Sequence, residues 1–124
     1  MSKMRGQGKL FNGTVQDNDV SSVVSVGPAS DVAIFIANTG GQPIDFTVMC
    51  SGNDTLSAGR NNLPEVADMY EYVERDNSAV LVLTVAAGQK RCFALSPFAP
   101  QFIALRADAN SGSSTIKANV TTNG

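Results

Sequence analysis

Glu65, Asp68, Glu71, Glu74 and Asp76 form the one acidic cluster of this sequence. Two carboxylates facing each other across a cleft can hydrolyse a glycosidic bond, and acids alternating with Asn and Gly can hold calcium. The cluster has neither arrangement. It lacks the alternating ligands and the glycine of a calcium loop, and a chain of 124 residues has little room to build a cleft around it. It reads as a solvated face. Histidine is absent from the sequence, which removes the commonest general base and a leading metal ligand. The serines have no base to activate them, and no glycine-rich phosphate loop occurs.

Cys50 and Cys92 are the only cysteines. They lie far apart in sequence, with no close Cys spacing, so they make no zinc motif. Each sits in an apolar run, "FTVMCSG" and "KRCFALS", and reads as a reduced thiol acting as a small hydrophobe. The N-terminal "MSKMRGQGKLF" lacks the apolar centre of a secretory signal, and no apolar stretch approaches a membrane span. The sequons at Asn12, Asn53 and Asn119 therefore carry little weight. The expectation is a protein made inside a cell that catalyses nothing, uses no cofactor and holds no metal.

What is left is binding. Residues 1–12 contain Lys3, Arg5 and Lys9 with no acid and two glycines, and read as a flexible basic arm that Phe11 anchors on a partner. The stretch 51–64, "SGNDTLSAGRNNLP", is long for a connection in a compact domain and is a candidate binding loop through Asn53, Asp54, Arg60 and Asn61. "SPFAPQFIAL" holds Phe98 and Phe102 around a proline. They read either as an inter-sheet corner plugging the core or as an apolar interface patch.

The elements that would carry these residues are strands. Val20, Val23, Val24 and Val26 make a β-branched run ending at Gly27-Pro28, predicting a strand over 20–26. "DVAIFIAN", 31–38, is apolar on both faces, as in a central strand covered on both sides. Asn38-Thr39-Gly40-Gly41 then offers the positive φ of a tight hairpin, and 43–50 alternates cleanly, predicting an antiparallel return. The segment 64–75 is open: Val66, Met69, Tyr70 and Val73 have helical spacing, whereas Tyr70 and Tyr72 alternate as in a strand. A turn leading into a strand at about 69–74 is the favoured reading. "AVLVLTVAAG", "QKRCFALS", "QFIALRADA" and "STIKANVTT" supply four more strands. About eight strands at short, regular spacing predict one antiparallel β-sandwich over 13–124, of jelly-roll or immunoglobulin-like topology.

Charged residues are 16% of the chain and the net charge is −2. A binder of nucleic acid carries a basic surplus, so that partner is not expected. A lightly charged exterior protects poorly against association, which points to surface covered by other proteins.

The pattern "VSVGPASDVAIFIANTGGQPIDFTV" followed by "SPFAPQFIALRADANSGSSTIKANVTT" resembles the small virion proteins of tailed bacteriophages, of the head decoration or cement type. The resemblance implies a jelly-roll or immunoglobulin-like sandwich body, a trimer, an arm docking on the capsid shell, and residence in the virion. Two other readings stand beside it. One is a subunit of an extracellular fibre or appendage whose terminal extension completes the next subunit's sheet. The other is a carbohydrate- or receptor-binding module using loop 51–64.

Overall fold

A computed structural model describes residues 5–26, 31–52, 65–74, 78–95 and 100–123. Period-two burial runs along its long strands. In the last of them Ser114, Ile116, Ala118 and Val120 are buried while Thr115, Lys117 and Asn119 are exposed. Nine strands are described: β1 (Arg5–Gln16), β2 (Val24–Ser25), β3 (Asp31–Asn38), β4 (Ile44–Ser51), β5 (Tyr70–Glu71), β6 (Val82–Val85), β7 (Lys90–Leu95), β8 (Phe102–Asp108) and β9 (Ser113–Asn123). All named pairings are antiparallel. The first sheet has the order β1-β9-β3-β7; the second has β2-β8-β4-β5, with β6 also on β4.

The chain passes from one sheet to the other between β1 and β2, β2 and β3, β3 and β4, β6 and β7, β7 and β8, and β8 and β9. Taking β5 and β6 as one interrupted edge strand of β4, this is a jelly roll. The strand beyond the eight expected is β1, since the expected strands at 69–74 and in "AVLVLTVAAG" already correspond to β5 and β6. A small hairpin, with Val73 bridged to Val80, leaves the edge of β4 at Val48.

The apparent hairpin at 31–50 is therefore corrected to an arch. β3 and β4 lie in different sheets and face each other across the core. Neither Gly40 nor Gly41 has positive φ. Asn38 is buried and ties the corner. Its Nδ2 donates to the carbonyls of Gln42, at 2.8 Å, and Val85, at 3.1 Å. Its Oδ1 accepts from the amide of Gly40, at 3.1 Å, and the hydroxyl of Ser114, at 2.6 Å. Gly40 is needed for close approach, since a Cβ there would lie 2.6 Å from the backbone nitrogen of Thr115.

The flexible arm is corrected too, over its described part. Residues 5–16 pair with β9 from Arg5↔Asn123 to Gln16↔Ser113. Backbone pairing is indifferent to the polar and glycine side chains that suggested looseness. A bulge between Lys9 and Phe11 breaks the period, so Leu10 and Phe11 are both buried. Gly8 packs on β2, where a Cβ would come 2.6 Å from Val24 Cγ1. The strand expected over 20–26 shrinks to β2, with Val20 held only by an isolated bridge to Arg106.

The core between the sheets centres on Phe46, with Ile34, Ile36, Ile103, Leu105 and Ile116 fully enclosed. Phe11 meets Phe46 with ring centroids 5.8 Å apart. A second, smaller cluster lies outside the second sheet. There a 3-10 turn, Val66–Asp68, lays Val66 and Met69 over Met49, Phe102 and Ala104. This is the turn-then-strand arrangement favoured for 64–75.

Candidate protein-binding faces

Directly paired residues share a face, so the register defines what each sheet shows to the outside. On the first sheet, Lys90, Ala37, Lys117 and Asn12 form one row across β7, β3, β9 and β1. The next row is Cys92, Phe35, Asn119 and Lys9. Phe35 is 43% exposed, so β3 is central but not covered on both sides as expected. Lys9, Lys90 and Lys117 are exposed, and none of them makes an ion pair among the described residues. The aromatic ring thus stands among three cations. The carboxylate of this face, Asp31, belongs to the far end of β3.

The second sheet presents the opposite sign. Asp108, Asp45 and Thr84 form a row across β8, β4 and β6. Neighbouring carboxylates on adjacent strands repel. The Thr84 hydroxyl donates to Asp45 at 2.7 Å and the Asn110 amide donates to Asp108 at 3.0 Å, but among the described residues no cation joins the row. The adjoining row carries Val20, Arg106, Thr47 and Val82, with Val20 50% and Val82 47% exposed. Arg106 is already engaged, donating to Glu71 at 2.8 Å. That pair is partly exposed and contributes little to stability. Glu65 and Asp68 are exposed on the 3-10 turn, which packs over Met49 toward the other end of β4 from Asp45. An open groove of about 710 Å³ runs beside them over Val23, Met49, Val66 and Met69.

The residues singled out from sequence fall apart spatially. Lys9 is exposed on the first face, whereas Phe11 is core and anchors no partner. Arg5 is the first residue of β1. Phe102 is buried in the small outer cluster, which removes it from an exposed patch. Lys3, Asn53, Asp54, Arg60, Asn61 and Phe98 lie outside the described residues, as does Asp76. Sequence reasoning missed Phe35, Lys90, Lys117, Asp45 and Asp108. Alternation marks each as outward or inward, but only the strand order makes rows of them.

The cysteines belong to different sheets. Cys50 faces the core and burial pushes its thiol up, while Cys92 is exposed beside Phe35. Among the described residues no group of His, Cys, Asp and Glu could hold a metal ion. Asp17 fastens the β8–β9 corner by accepting from the amides of Ser111 and Ala109. These bonds, Ser111's foremost, hold its carboxyl below the usual range. Asn110 and Ser111 both have positive φ in that corner.

The molecule is thus an antiparallel β-sandwich with two open outer faces of unlike charge. Among solved structures it is similar to YomS, a protein derived from the SPBc2 prophage, with a TM-score of 0.57, 6% identity, and coverage of 98% of this chain and 96% of that one. Weaker likenesses are to a structure described under Bacillus endospore appendages as disulfide-linked pili (TM-score 0.41, 13% identity, 99% and 91% covered) and to a CBM4 structure (TM-score 0.43, 7% identity, 97% and 71% covered). At these identities what is shared is the fold. No family model matches the sequence, and neither does any curated protein. Among the described residues no helix is long and apolar enough to cross a membrane.

Proposed function

We propose that the chain is a non-enzymatic structural component of a phage particle, a decoration or cement protein that binds assembled virion proteins and strengthens the shell through protein–protein contacts. The observation that carries this reading is the pair of open sheet faces, each with half-exposed apolar side chains beside a charged row, cationic on one face and acidic on the other. Phe35 lies among lysines, and Val20 and Val82 lie beside aspartates. Such surfaces suit association: the apolar groups supply affinity and the charges fix register and partner. Many copies on a repeating shell then gain avidity from modest individual contacts. The fold shared with a prophage-derived protein is consistent with this setting.

Contact falls to the faces because residues 5–16 are engaged in the protein's own sheet. That also weighs against a fibre in which this segment completes a neighbour's sheet. The test is to purify particles from a host carrying the encoding phage, with the gene intact and deleted. The protein is expected in intact particles, and its deletion is expected to lower the temperature at which they release DNA. Its absence from purified particles would refute the proposal.

A further inference from the structure

The geometry points to a second copy of this chain as the occupant of the lysine-rich face: copies stack in one orientation, the outer face of the first sheet of one against the outer face of the second sheet of the next. The inference rests on the structural role proposed above and specifies its interface. Three observations carry it.

The first is complementarity. The Lys90-Ala37-Lys117 row has two cations, and the Asp108-Asp45-Thr84 row has two carboxylates with no cation paired to them among the described residues. The second is that each charged row adjoins exposed apolar side chains, Phe35 on one face and, on the other, Val20 and Val82 at either end of a row whose Arg106 is already paired with Glu71. Seating the lysine row on the aspartate row brings the ring to the middle of the adjoining row, over Thr47 between Arg106 and Val82. Charge then selects the contact and apolar burial holds it.

The third concerns placement. Ala37 is one residue from the end of β3 and Asp45 one from the start of β4, so both rows border the same arch, 39–43. They therefore lie at the same end of the sandwich on opposite sides. A plain translation through the two layers superimposes one row on the other without turning the molecule over. Such a contact joins unlike surfaces, so it closes only as a ring and otherwise continues as a stack. A symmetric pair cannot form through it.

Zero-length carbodiimide coupling of the intact protein tests this without substitution. Lys90 and Lys117 lie on the opposite side of a two-layer body from Asp45 and Asp108, with the sheets about 10 Å apart. A bond between these sets must therefore join two copies. Peptide mapping is expected to find Lys90 or Lys117 joined to Asp45 or Asp108 at low salt, with the yield lost at high salt.

Sedimentation of charge-reversed chains is the second measurement. K90E/K117E and D45K/D108K should each weaken self-association by roughly a hundredfold, and an equimolar mixture should associate again, with circular dichroism confirming that both fold. A wild-type protein monomeric at millimolar concentration and low salt would overturn the inference. So would a strict dimer, unchanged association of K90E/K117E, or a monomer whose lysine face captures only duplex DNA or another acidic protein. Particle content is read separately. A chain that stacks but is missing from particles leaves this interface standing and removes the virion role; a chain present in particles but never self-associated does the reverse.

Discussion

Replacing Asn38 by alanine removes four hydrogen bonds from the β3–β4 corner at once. Two of them, to the Val85 carbonyl at 3.1 Å and from the Ser114 hydroxyl at 2.6 Å, are buried. Their stranded partners cost about 1–2 kcal/mol each. The other two, to the Gln42 carbonyl and from the Gly40 amide, are partly buried and contribute about 0.5–1 kcal/mol each. The expected loss is about 3–6 kcal/mol, a large share of the roughly 5–15 kcal/mol that holds a domain of this size folded. The melting temperature should fall by roughly 10–20 °C. Urea unfolding followed by far-UV circular dichroism measures the change, with Thr39→Ala as the control. The Thr39 hydroxyl is exposed and its bond to Thr115 is 3.4 Å long, so its loss should stay within about 0.5 kcal/mol. If 31–50 were instead a hairpin, Asn38 would occupy a solvated turn. Asn38→Ala would then match the control, and that result would refute the arch.

Three more expectations follow from the same packing. Phe11→Ala empties a buried site against Phe46 and should cost about 3–4 kcal/mol in urea unfolding; a change near zero would return this residue to a loose arm. Asp17 has a carboxyl held low by the corner amides. Its stabilisation is therefore present above the ordinary carboxylate range and is lost as pH falls through the lowered folded value. Melting temperatures followed below about pH 4 should drop more steeply for the wild type than for Asp17→Asn, and parallel curves would contradict this. Maleimide labelling of the native protein should modify Cys92 rapidly and Cys50 only on unfolding, since one thiol is exposed and the other is buried with a raised pKa; equal rates would contradict the assigned faces.

Strand positions were largely legible because period two survives in the letters: Val32, Ile34 and Ile36 in β3, and Ile116, Ala118 and Val120 in β9, are inward in fact as in pattern. Strand partnership was not legible. Two alternating runs joined by "NTGGQ" bury the same side chains whether they lie side by side or face to face. The buried Asn38 network decides between them, and it depends on Val85 and Ser114, far away in sequence. β1 was hidden for a different reason. Its bulge sets Leu10 and Phe11 next to each other, which erases the alternation, and Gly8 marks a close contact with Val24 instead of slack chain. The charged faces have the same origin. Lys90 and Lys117 are distant in sequence and become neighbours only because β3 separates β7 from β9.

The proposed virion role is tested most directly by quantitative mass spectrometry of phage particles purified from a culture that carries the gene. The account predicts a fixed whole-number ratio of this protein to the major shell subunit, retained through repeated banding. Complete loss of the protein from banded particles, with shell composition unchanged, would contradict it.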